Sequence, residues 1–155
     1  MITQQRKISG TVLSLRCMQC EAEFPHFLFS GEEDTDTAGL CSLSSIDADE
    51  LIIGELEIEE WNNFDTNGAL HFEHRLSEQL NRHDLKVVRL LRVEQAKNVG
   101  NGMNFQDFRK AYNPPAMVFS CICCVDGESR TSEEITVENF QSLGGKISPI
   151  GRLVL

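Results

Sequence analysis

Four cysteines fall into two short clusters, Cys17-Met-Gln-Cys20 and Cys121-Ile-Cys-Cys124. A Cys-x-x-Cys turn points two sulfurs at one position from a single tight loop, and two such turns supply the four soft ligands that a tetrahedral Zn²⁺ ion favours. This pattern predicts a zinc ion on Cys17, Cys20, Cys121 and Cys124. Four thiolates leave no place for water or substrate, so the expected site is structural and not catalytic. Cys123 sits beside Cys124 as a rival ligand. Two other readings of the same residues stay open: four reduced thiols that bind nothing, or a redox pair. A thioredoxin-type redox motif needs its Cys-x-x-Cys to open a helix, and neither cluster precedes a helical pattern.

The paired turns resemble the zinc ribbon, in which two cysteine knuckles face each other across one metal. That resemblance implies that all four cysteines are ligands and that the N- and C-terminal parts of the chain come together. In compact ribbons the knuckles stand about 15–20 residues apart. Here 100 residues separate Cys20 from Cys121. The expected organisation of the 155 residues is therefore one domain, with ribbon parts at 8–30 and 116–130 and an inserted α+β region at 31–115. Glu21 and Val125 occupy the positions where a knuckle usually carries glycine, and Gly127 follows soon after. An ion tying residue 17 to residue 121 would brace the whole insertion, because closing a long loop removes unfolded-state entropy.

Charge is the second signal. Residues 17–74 hold 15 acidic residues and no lysine or arginine, within a chain of net charge −10. Such a stretch repels phosphates and attracts a basic partner. The candidate contact residues are Glu32, Glu33, Asp34 and Asp36 in a glycine-flanked loop, and Glu55, Glu57 and Glu59 followed by Trp61. A row of like charges on a strand needs an opposing cationic surface, either external or on a neighbouring strand carrying Lys86, Arg89 and Arg92. Trp beside such a row suits a binding hot spot. Solvated acids and a core Trp61 are the plainer alternatives.

The remaining chemistry is sparse. Cys41 lies among apolar residues and reads as a core thiol. His71 and His74 share one helix face, with Glu73 on another, and read as a solvated pair; His26 and His83 have no partner visible in sequence. The chain contains no phosphate-loop or nucleophile motif, so no enzyme is expected. The residues Met1 to Arg6 show no apolar signal core, and no apolar run approaches the ~20 residues of a membrane span. The expectation is a cytoplasmic protein, whose thiols stay reduced.

Positioning this chemistry requires an α+β fold, with a largely antiparallel sheet and two or three helices. Strands are expected at 8–17, 24–29, 40–46, 51–60, 85–93, 116–121 and, broken by Pro149 and Gly151, at 146–155. In 51–60, Ile52, Gly54, Leu56 and Ile58 alternate with the glutamates, which favours a strand over a helix capped by Asp47. Ala69, Phe72, Leu76 and Leu80 predict a helix over 69–82. Thr136 caps a second helix carrying Val137, Phe140 and Leu143 and ending at Gly144-Gly145. The segments 31–39, 62–68 and 97–115 read as loops.

Two functions follow as expectations. The first is a non-enzymatic, acidic protein-binding module with a structural zinc. In kind it resembles the small acidic immunity proteins that neutralise bacterial toxins by covering a basic active-site surface. The second is a zinc-ribbon accessory factor for nucleic acid or a transcription or translation machine. Arg6, Lys7, Arg16, Arg130, Lys146 and Arg152 would be its footprint.

Overall fold

The computed structural model describes residues 5–30, 39–94 and 116–155. The fold is α+β, and its sheets are mostly antiparallel. The strands are β1 (Arg6–Lys7), β2 (Gly10–Cys17), β3 (Glu23–Phe29), β4 (Leu40–Ser45), β5 (Glu50–Glu55), β6 (Leu85–Val87), β7 (Leu90–Val93), β8 (Met117–Ser120), β9 (Glu128–Thr136), β10 (Lys146–Pro149) and β11 (Leu153–Val154). The helices are α1 (Ile58–Asn62), α2 (Ala69–Leu80) and α3 (Val137–Ser142), with a π-helical turn at Phe64–Gly68.

A five-stranded antiparallel sheet runs in the order β3-β2-β9-β8-β7. It is built from two hairpins laid side by side. One joins β2 to β3 across the first cysteine turn; the other joins β8 to β9 across the second. The central pairing of β2 with β9 sets Cys17 opposite Ser129, which places both turns at the same end of the sheet. A four-stranded sheet follows in the order β10-β5-β4-β6, with β10 parallel to β5. The C-terminal strand β10 thus lies in the sheet of the inserted region.

The two faces of β5 explain its burial. Leu51 and Ile53 pack with Val12, Phe27 and Phe140. Ile52 packs on the opposite side with Phe72 and Leu76 of α2. A strand covered on both faces reads as a continuous apolar run rather than an alternation. Gly54 allows the helix to approach: a Cβ there would stand 3.0 Å from Leu76 and 3.2 Å from Phe72.

The expected strand over 51–60 is therefore corrected. It stops at Glu55, and α1 starts at Ile58. The competing signal was local: the backbone N–H of Glu57 donates to the Glu60 carboxylate at 2.8 Å, as in a capping box. Glu55, Glu57 and Glu59 do not form a strand row. The expected strand over 85–93 is two strands in different sheets, and the expected loop over 62–68 is the end of α1, a turn at Asn63 and a π-helical turn at Phe64–Gly68. The helix predicted over 69–82 is α2, ended by Asn81 in the left-handed conformation, and Thr136 caps α3 by accepting from the Asn139 N–H at 3.1 Å. Phe140 is buried there, whereas Leu143 is exposed.

Candidate metal centre and acidic clusters

β2 runs straight into the first knuckle and β8 into the second, so the sheet fixes where the sulfurs point. Cys17 Sγ lies 3.7 Å from Cys124 Sγ, and Cys20 Sγ lies 3.6 Å from Cys121 Sγ. All four sulfurs are within 4.8 Å of one another. A tetrahedron with Zn–S near 2.3 Å has edges of about 3.8 Å. A disulfide needs about 2.05 Å. The four sulfurs therefore suit one tetrahedral metal ion and are not bonded in pairs; all six cysteines are free. Cys123 is exposed and stands outside this tetrad, and Cys41 is buried in the core against α2.

The knuckle backbones supply polar support. The N–H groups of Gln19 and Cys20 donate to Cys17 Sγ at 3.4 Å, and the N–H of Cys123 donates to Cys121 Sγ at 3.2 Å. Burial raises the Cys17 thiol, but these amides and the neighbouring thiols Cys121 and Cys20 outweigh it and bring it down to about 6. Burial, reinforced by the adjacent sulfurs, pushes Cys124 up to about 12 and raises Cys121. Cys17 is thus favoured as a thiolate by its amides, while Cys121 and Cys124 are disfavoured as thiolates beside it. Burial pushes Cys41 up to about 12, which makes it an inert core thiol.

Glu21 takes φ +63° and Asp126 φ +60°, so each knuckle closes through a left-handed residue that is not glycine. Gly127 has another role. A Cβ there would lie 2.5 Å from Cys124 Sγ and 2.8 Å from Cys17 Sγ. Only glycine leaves the sulfur cluster its space.

The residues predicted to face a partner divide into four groups. Glu55 is drawn into the protein, with Arg152 at 2.9 Å and Arg6 at 3.2 Å; these arginines hold its carboxyl below the usual range. Glu57 is exposed yet pairs with Arg75 at 3.1 Å. Glu59 and Trp61 are exposed, and Trp61 packs one edge over Gly39. Glu32, Glu33, Asp34 and Asp36 lie outside the described residues. The counter-charges expected from Lys86, Arg89 and Arg92 are supplied by other residues; Arg92 pairs with Glu128 instead. The arginines of the predicted basic footprint are themselves engaged, Arg16 with Glu21 and Glu23 and Arg130 with Glu94.

Sequence reading passed over Glu60. Its side chain is buried, and it accepts from Arg75 at 2.8 and 2.9 Å and stands 2.6 Å from His71 Nδ1. Burial raises its carboxyl, but Arg75, the Glu57 N–H and His71 together bring it down to about 2. Glu57, Glu60 and His71 also have the spacing of metal ligands. The guanidinium of Arg75 already occupies both carboxylates there, so the cluster is a closed ion-pair network. His74 belongs to neither site and faces Glu78. The Glu57-x-x-Glu60 spacing was the signal available in sequence.

Comparison with known proteins finds no matching family model, no matching curated protein and no matching solved structure. Among the described residues no helix is long and apolar enough to cross a membrane.

Proposed function

We propose that this chain is a protein-binding module braced by a structural zinc ion, and not an enzyme. The observation that carries the reading is the pair of sulfur contacts at 3.7 and 3.6 Å between knuckles 100 residues apart in sequence. Zinc is the ion that an all-thiolate tetrahedron of this size suits best. Such a shell is closed to substrate, so the metal shapes the protein instead of doing chemistry.

The function then lies on the surface. A net charge of −10 suits a partner with a basic face, and the immunity-type role of covering the cationic active site of a toxin fits that charge. Glu59 and Trp61 remain available for contact, while Glu55 is committed to Arg6 and Arg152. The loop acids at 32–36 join the reading from sequence. Ion pairing of Arg6, Arg16, Arg130 and Arg152 weighs against a nucleic-acid footprint. The proposed setting is the cytoplasm.

Native mass spectrometry of the purified chain tests the metal: one zinc per chain is expected, lost in C20S and C121S and kept in C123S. A chain that binds no zinc overturns the reading. The partner is tested by capture on immobilised protein at low salt followed by association kinetics. The expected rate falls steeply with ionic strength; a rate indifferent to salt removes the charge argument.

A further inference from the structure

Between β3, β4, β8 and the π-helical turn lies a cavity of about 200 Å³, lined by none of the four clustered cysteines. Its wall is largely apolar and includes Phe64, Val88, Met117 and Phe119. Two polar side chains interrupt that wall, His26 from β3 and Ser42 from β4. Each keeps a buried polar atom, His26 Nδ1 and Ser42 Oγ, with no hydrogen-bond partner in the protein. Such groups cost roughly 1–3 kcal/mol each when left unpaired, so buried polar atoms are nearly always satisfied. Both residues line one cavity, and although the orphan atoms themselves are closed off from it, turning either side chain would present an unpaired hydrogen-bonding group to a guest there.

We propose that this cavity binds a small neutral molecule with an apolar, ring-sized body and one hydroxyl group, which His26 and Ser42 recognise. Size sets the body. An apolar cavity of about 150 Å³ takes benzene, so one ring with a short polar substituent fits here. Charge sets the head. Burial lowers His26 to about 4, which leaves its imidazole neutral. A neutral imidazole and a serine hydroxyl can each donate or accept, which suits a hydroxyl. They offer no positive charge to a carboxylate that would have to shed its water. Phe119 fixes the imidazole, with the two ring centres 5.0 Å apart.

The probes are phenol and toluene, which share a shape and differ by the hydroxyl. Binding to the full chain is followed by methyl NMR at Met117 and Val88. Saturable phenol shifts at both methyls are expected, with toluene about fivefold to tenfold weaker. H26F and S42A should each lower phenol affinity by a similar factor and leave toluene unaffected. Thermal melts are to check that these variants fold. L90W, at a half-exposed position of the wall, keeps the proposal testable if they do not; its larger ring should block entry and abolish the shifts. No binding of either probe, equal binding of both, or phenol binding unchanged in L90W overturns the proposal.

Discussion

Gly127 is the residue on which the metal centre is most sharply tested without touching a ligand. Its missing Cβ is what lets Cys17 and Cys124 sit side by side, and a methyl group would fall within 2.8 Å of both sulfurs. Cys17 Sγ is also held by the Gln19 and Cys20 N–H groups, so moving it aside sacrifices those contacts. G127A should therefore weaken zinc binding by at least about tenfold, the range seen when groups that orient ligands are lost. Competition with a chromophoric chelator measures it; an unchanged affinity would show that the knuckles adjust freely. His26 gives a second prediction at this scale. Its folded pKa is near 4 against 6.5 in the unfolded chain. Between those values the unfolded chain holds the extra proton, so the contribution to stability is full above about pH 6.5 and is lost as pH falls toward 4. The urea midpoint should drop by the equivalent of roughly 2–3 kcal/mol across that window, beyond what H26F loses. Parallel pH dependence in the two proteins would place the imidazole in water.

The ion pairs around α1 and α2 act between elements. Glu60 is only 1% exposed, and Arg75 reaches it from the next helix with two hydrogen bonds. Removing one partner of such a pair leaves a buried charge and costs about 3–5 kcal/mol. R75A should lose stability on that scale, while the double variant E60Q/R75A should recover part of it by removing the charge. Chemical denaturation of the set checks this, and a loss below about 1 kcal/mol in R75A would mean water reaches the carboxylate. These same elements mark how far sequence could see. The first hairpin, α2, α3 and the cysteine tetrad were legible, since each rests on short-range pattern: a Cys-x-x-Cys turn after an apolar run, spacings of three and four, a threonine cap. β9 was not, because Glu128–Thr136 is polar and charged along most of its length and is held as a strand by β2 and β8 on either side. The end of β5 was not. Leu51 and Ile53 are as buried as Ile52, so the strand lacked the alternation expected of it, and the glutamates that simulated alternation belong to the next helix. Nor could sequence reveal that Arg6 and Arg152, 146 positions apart, meet at Glu55, because that depends on β1 pairing with β11. The cavity at His26 and Ser42 was equally hidden, since it exists only where two sheets and a π-helical turn converge.

At the scale of the molecule the question is what the metal holds. The four-stranded sheet lies between α2 and the five-stranded sheet, and its core is assembled from both sides. The knuckles lie at one end of the five-stranded sheet, where β2 and β9 already align Cys17 with Ser129. Backbone pairing thus closes the same long loop that a bound ion would close. An ion on the four sulfurs would add to this closure, because a preformed site does not exist in the unfolded chain and binding energy becomes folding energy. It would not be the sole source of the fold. Chelation should therefore lower the melting temperature by roughly 10 °C, the effect of about 4 kcal/mol of linkage on a chain of this size, and leave far-ultraviolet circular dichroism almost unchanged. Amide hydrogen exchange locates the loss. Protection should fall at residues 17–22 and 121–128, where backbone N–H groups face sulfur or the turn, and persist in α2 and β5, whose partners lie in the central core. If α2 loses protection together with the knuckles, the ion braces the entire insertion and the strands between β2 and β9 are too weak to do so alone.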